Sequence, residues 1–222
     1  MFFGSKEPKT DDRSQNRVPQ AVPSPDGRAW TNPDADRFPP DKNGLRRQLL
    51  AKRDAIPPEE RRARDEAIVA GIVGLAAFTR ATAALLYVPV GSEINVWPLA
   101  REAWRRGIPV GFPVCDRKSG TLTFRRAFAD VPLVKGAFGI PIPPEDAPRL
   151  VPDAGTLCVP PALGYDQNRV RIGYGGGYYD RFLAVFSGVA VGAAYRENVL
   201  PSVFAEAHDR PVSVLVTENG IL

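Results

Sequence analysis

From Leu163 to Phe182 the chain reads LGYDQNRVRIGYGGGYYDRF, and four of the five positions from Gly173 to Gly177 are glycine. Each glycine inside a regular helix or strand costs about 0.5–1 kcal/mol relative to alanine. This stretch is therefore a loop whose backbone does something that side chains would obstruct. Composition leaves two readings open. One is a tight turn in which glycine only relieves strain. The other is a loop whose bare N–H groups approach a phosphate and feed a helix with a favourable positive end.

Flanking charge fits the second reading. Arg171 and Arg181 bracket the loop, and Asp180 offers a hard carboxylate of the kind magnesium uses when it bridges to phosphates. The standard phosphate motifs are excluded. No Gly-Lys pair occurs in the chain, so there is no Walker loop, and the residue three places after Gly175 is Tyr178 where a dinucleotide fingerprint needs glycine.

At 222 residues and 44% hydrophobic content the chain can bury one good-sized core and still carry a tail. Its longest apolar run, Ala67 to Phe78, is too short to cross a bilayer and reads as a buried helix. The N-terminus reaches charge too early for a signal peptide. Cys115 and Cys158 lack metal spacing and read as buried small hydrophobes in a reducing compartment, so the cytoplasm is expected. The formal charge is +4, and Lys42, Arg46, Arg47, Lys52, Arg53, Arg61, Arg62 and Arg64 crowd two adjacent segments. Such a run can contact nucleic acid, attract a small polyanion or solvate a helix face. No aromatics are interleaved as a single-strand platform requires.

Taken in order, residues 1–40 are polar and proline-rich without period and are expected to be disordered or loosely draped, with Trp30 and Phe38 available to dock. A helix should run from Asp41 to Ile56, ended by Pro57-Pro58, and a second from Pro58 with Ile68, Ile72 and Leu75 as its buried stripe. Ala81 to Val88 reads as a buried parallel strand with Glu93 in the loop at its C-terminal edge, where open α/β sheets bind ligands. A helix near Val96 to Arg106 should bury Trp97, Ala100 and Trp104, closed by Gly107. Ile108–Phe112 and Thr121–Arg125 read as strands around a turn, and Val131 to Pro152 as a long surface connection. Thr156–Val159, a helix from Tyr178 to Phe186, Val189–Tyr195 and Val212–Val216 complete the pattern. The fold class expected is α/β: a single domain over residues 41–222, with a mostly parallel open sheet flanked by helices.

Asp166, Arg171, Gly173, Gly175, Gly177, Tyr178, Tyr179 and Asp180 together resemble the signature of the 5-formyltetrahydrofolate cyclo-ligase (5,10-methenyltetrahydrofolate synthetase) family. Three further stretches are similar: Lys42-x-x-Leu45-Arg46 to its basic N-terminal element, Gly91-Ser92-Glu93-Ile94 to its acidic loop, and His208-Asp209 to its C-terminal pair. Ile142 and Ser213 depart from residues frequent there. The resemblance implies ATP as co-substrate with Mg2+, and a reduced folate, with or without a polyglutamate tail, as substrate. It implies neither a membrane nor a nucleic-acid partner, and a monomer or weak oligomer. It further implies ATP contacts at Lys42, Arg46, Arg171, Gly173, Tyr174, Gly175, Gly176, Gly177, Tyr178 and Tyr179. Catalysis would fall to Arg171, Tyr178 and Asp180, folate contacts to Glu93 and Tyr178, and the metal to Asp180 and Asp209. Two rivals are a drifted ATP-binding paralogue and, from the basic helices, a nucleic-acid-binding module. His208, the only histidine, has two readings: a polar turn residue or an acid/base group.

Overall fold

The computed structural model describes Pro39 and residues 41–222. The expectations for the rest of the first 40 residues, including docking by Trp30 and Phe38, lie outside that range. The chain enters α1 (Lys42–Asp54) through Asp41, whose side chain caps the helix by accepting from the Gly44 N–H at 2.6 Å. Then follow α2 (Pro58–Val73), short α3 (Ala76–Thr79), β1 (Ala84–Leu85) and α4 (Trp97–Arg105). A long hairpin, β2 (Val110–Cys115) and β3 (Leu122–Ala127), is followed by a small one, β4 (Val134–Lys135) and β5 (Pro141–Ile142). The second half contains β6 (Leu157–Cys158), β7 (Gly164–Asp166), β8 (Arg171–Ile172), α5 (Tyr178–Leu183), β9 (Val189–Ala193), β10 (Val199–Leu200), β11 (Val214–Thr217) and β12 (Gly220–Ile221).

Seven strands form the main sheet in the order β12-β11-β9-β6-β1-β2-β3. Its centre is parallel, with Ala84 opposite both Val110 and Leu157, and both edges are antiparallel. Side chains alternate between its faces. Ala84, Leu86, Leu157, Val191 and Val216 pack beneath α2 and α4 with Ile68, Ile72 and Leu99, while Leu85, Cys158 and Leu215 face the opposite side, with Phe124, Tyr165, Tyr179 and Leu183. Burial on both faces is why β1 and β6 read as continuous apolar runs. A second sheet, β10-β7-β8, carries the glycine stretch away from the main sheet. Asp166 is buried in its turn, accepting from the Asn168 and Val170 N–H groups at 2.9 Å each, so that part of the signature closes a hairpin.

The α/β architecture is as expected, and several boundaries are not. The run from Ala67 to Phe78 is two helices, because the chain turns at Gly74 and Leu75 before α3. α1 stops at Asp54, before Ile56, whose side chain is nevertheless buried in the main core. α5 spans six residues and ends at Leu183, too short for a strong end-to-end dipole. Trp97 and Trp104 are half-buried at the rim: Trp97 meets Phe112 edge-on at 5.1 Å, and Trp104 donates its indole N–H to the Ala127 carbonyl at 3.0 Å. The connection from Val131 to Pro152 contains the β4–β5 hairpin. There Ile142 lies against Gly136, where a β-carbon would come within 2.6 Å of it, and away from the cleft described below. Ser213 is exposed, on a strand-edge turn.

Candidate active site

Where β1, β2 and β6 end, their C-terminal loops meet α1 and the glycine loop around a cleft of about 790 Å3. This is the edge at which open α/β sheets hold ligands. One face of α1 lines it with Lys42, Arg46 and Arg53, and the opposite wall is Gly173 to Asp180. Gly175 (φ +93°) and Gly177 (φ +66°) occupy backbone space that other residues reach only at a cost, and Gly177 is the N-cap of α5. Arg46 lies under the loop: its Nε donates to the Gly173 carbonyl at 2.9 Å, and a β-carbon on Gly175 would sit 3.4 Å from its guanidinium carbon.

Arg171 and Asp180 pair at 2.5 Å across the base of the loop, with side chains 5% and 18% exposed. Arg171 also donates to the Pro161 carbonyl at 3.2 Å, yet among the described residues its buried Nε has no partner. The Tyr179 hydroxyl is another buried, unpaired group on the same wall, its ring packed with Phe124 and Cys158 and facing Arg171. Unsatisfied buried polar atoms beside an open cleft suit a polar ligand. At the other end of α1, Lys42 contacts Asp209 at 2.8 Å and Glu206 at 2.9 Å. Burial works against both charges. The contact outweighs it, leaving the Lys42 ammonium above its ordinary range and the Asp209 carboxyl below.

Beyond Gly177 the same wall turns aromatic. Tyr178 opens α5 there, edge-on to Phe138 with ring centroids 6.3 Å apart. Phe138 holds a left-handed backbone (φ +59°) and is 56% exposed toward the cleft, with the Arg117 guanidinium over its ring at 4.8 Å. Glu93 is fixed in the loop after β1, where its Oε2 accepts from the Val90 N–H at 2.8 Å.

The residues singled out in the sequence largely converge here. Lys42, Arg46, Glu93, Arg171, Gly173 to Asp180 and Asp209 all line one cleft, with exposed His208 at its rim. Arg181 does not: it lies outside the lining and donates to the Gly120 and Gly176 carbonyls, bracing the loop from behind. Cys115, expected to be buried, is half-exposed on the cleft wall, because β2 runs past the core edge. Sequence reasoning missed Arg53 and Phe138. Arg53 follows Arg46 by seven residues, two helical turns, so a helical-face analysis of the basic run would have placed it in the cleft. Nothing local marks Phe138, whose backbone strain appears only in the folded hairpin.

A polyanion-ready glycine loop at the C-terminal edge of a doubly covered sheet, beside an aromatic pair, defines an α/β ligand-binding enzyme site. Among the described residues, no helix is long and apolar enough to cross a membrane. The sequence matches the 5-formyltetrahydrofolate cyclo-ligase family model over residues 39–218. A 5-formyltetrahydrofolate cyclo-ligase of Mycolicibacterium smegmatis is 30% identical over 192 residues, covering 83% of this chain and 97% of the relative. Its Escherichia coli counterpart is 25% identical over 178 residues, covering 78% of this chain and 98% of that one. The NMR structure of Aquifex aeolicus 5,10-methenyltetrahydrofolate synthetase superposes with a TM-score of 0.71 at 31% identity, over 81% of this chain and 91% of that chain. The chain belongs to the 5-formyltetrahydrofolate cyclo-ligase family and is an enzyme of that class.

Proposed function

We propose that this cleft uses ATP to close 5-formyltetrahydrofolate to 5,10-methenyltetrahydrofolate, releasing ADP and phosphate. The observation that carries this reading is the continuity of the cleft. One lining brings a cationic glycine loop (Lys42, Arg46, Arg171, Gly173 to Gly177) together with Glu93, Tyr178 and Phe138. That matches a triphosphate beside a flat, polar-edged ring system.

The chemistry sets the demand. The oxygen of a formamide is a poor leaving group, so attack by N10 on the formyl carbon stalls before oxygen departs. Attack of that oxygen on the γ-phosphorus expels ADP. N10 then adds to the activated carbon, loses its proton, and phosphate leaves. Phosphoryl transfer of this kind needs alignment and charge neutralisation rather than a protein nucleophile. In this reading the amides of Gly173, Gly175, Gly176 and Gly177 cradle the phosphates, with Lys42, Arg46 and Arg171 around them. Tyr179 supports the loop from the core and offers its unpaired hydroxyl to that wall. Tyr178 and Glu93 line the folate end, with Phe138 against Tyr178.

Among the described residues no group of three or more His, Cys, Asp or Glu is placed to hold a metal. Magnesium needs no such cage: it keeps waters and phosphate oxygens and takes one or two carboxylates. Asp180 and Asp209 fit that role: Asp180 meets Arg171 through Oδ1, and Asp209 takes Lys42 on Oδ2 while its Oδ1 faces the His208 ring at 3.7 Å. Mg2+ would supply charge neutralisation between the phosphates. A nucleic-acid role for the basic segments has less support, because Lys42, Arg46 and Arg53 turn into the cleft.

The test mixes the protein with 5-formyltetrahydrofolate, ATP and magnesium and follows the near-ultraviolet band of the methenyl product beside ADP release. Both should appear together and require all three additions. ADP release that is independent of folate, or no product band at all, rejects the assignment.

A further inference from the structure

Tyr174 belongs to the glycine loop, yet its side chain leaves the phosphate end. Its hydroxyl accepts a hydrogen bond from the Arg53 Nη2 at 2.7 Å and lies beside the Glu93 carboxylate. Arg53 is 3% exposed and makes no ion pair among the described residues. It is solvated by three acceptors from three segments: Tyr174, the Ser92 Oγ at 3.0 Å and the Ala162 carbonyl at 3.1 Å. A buried guanidinium without a carboxylate partner is costly. Two carboxylates approach it through neutral hydroxyls: Asp54 accepts from the Ser92 Oγ, and Glu93 lies beyond the Tyr174 phenol. The Tyr174 side chain is half exposed, yet partial desolvation of its hydroxyl, then Glu93, push that group up to about 12, so it remains a protonated bridge at every working pH.

We propose that Tyr174 is a positioning residue for the reaction, coupling Arg53 to Glu93 so that the glycine loop is latched onto the folate wall of the cleft. This rests on the cyclo-ligase reading for its kinetic consequence, not for the latch itself. The latch joins the loop that faces phosphate to the loop that faces folate, so losing it misplaces Glu93 while the loop amides and Arg46 stay in contact.

The test uses Tyr174→Phe, which removes only the hydroxyl, and Arg53→Lys, which cannot reach all three acceptors. Loss of a hydrogen bond to a charged group predicts an increase of about tenfold in the KM for 5-formyltetrahydrofolate, with kcat and the KM for ATP within about twofold of wild type. Because Tyr174 acts through Glu93, Tyr174→Phe in a Glu93→Gln background should add little. A merely structural loss would be additive and would raise both KM values. In the unliganded protein, hydrogen exchange at residues 90–93 and 173–177 should accelerate together in Tyr174→Phe. Unchanged exchange refutes the latch whether or not the wild type turns over folate. Unchanged KM values, or additive effects with Glu93→Gln, refute the positioning role in an active enzyme.

Discussion

Asp180→Ala separates the structural and chemical duties of the loop's carboxylate. Asp180 is the ion partner of Arg171, whose side chain is only 5% exposed. Removing one member of a buried pair costs about 3–5 kcal/mol, because the other charge is left uncompensated. The Asp180 side chain is 18% exposed, which admits some water and puts the expected cost near the lower end, about 3 kcal/mol. For a domain of this size that corresponds to a fall in Tm of about 6–12 °C, at about 2–4 °C per kcal/mol. Asp180→Asn keeps an acceptor for the guanidinium and should lose about half as much. Replacing both partners with apolar residues of similar volume, Arg171→Met with Asp180→Leu, should recover most of the stability but none of the activity. Differential scanning calorimetry reads the Tm and the methenyl band reads turnover. Asp180→Asn, still folded, should lose turnover and show a smaller thermal shift than wild type when ATP and magnesium are added. A Tm for Asp180→Ala within about 2 °C of wild type would sink the paired-charge reasoning. Near-normal turnover of Asp180→Asn would remove Asp180 from the chemistry.

Two further outcomes follow from the same geometry. Gly175→Ala forces a β-carbon onto a residue at φ +93° and 3.4 Å from the Arg46 guanidinium carbon. The strain of about 1–2 kcal/mol should raise the KM for ATP several-fold and leave the folate KM nearly unchanged; equal changes in both would contradict a phosphate cradle. The Lys42–Asp209 contact should be insensitive to pH through neutrality. Asp209 is depressed in the folded protein, so its contribution is complete above the unfolded carboxyl value near 4 and is lost as pH falls through the folded one. Lys42 is raised, so its contribution is complete below about 10.4 and is lost only above that. The Tm difference between wild type and Lys42→Met should therefore be constant from about pH 5 to 9 and shrink below about 4, as measured by thermal denaturation. A difference that shrinks between those limits would mean another titrating group controls the contact.

Much of this protein follows from one-dimensional pattern. The alternation of apolar runs with amphipathic segments is set by burial on both sheet faces, and that pattern alone defines the α/β class. The glycine cluster is equally legible, because backbone φ near +93° at Gly175 and +66° at Gly177 excludes most residue types. Local chemistry also placed Asp41 and Pro58 at helix starts and Gly107 at a helix end. What the linear chain could not assign was the partner of each charge. Lys42 and Asp209 are 167 positions apart, Arg46 and Gly173 127, and Arg53 and Tyr174 121. No local propensity carries information over such separations. Only packing of α1 against the second sheet turned a basic segment with three plausible uses into the floor of a cleft. The same packing set Arg181 behind the loop and Tyr174 across it, because a side chain's direction depends on which neighbours exclude it from the space on either side.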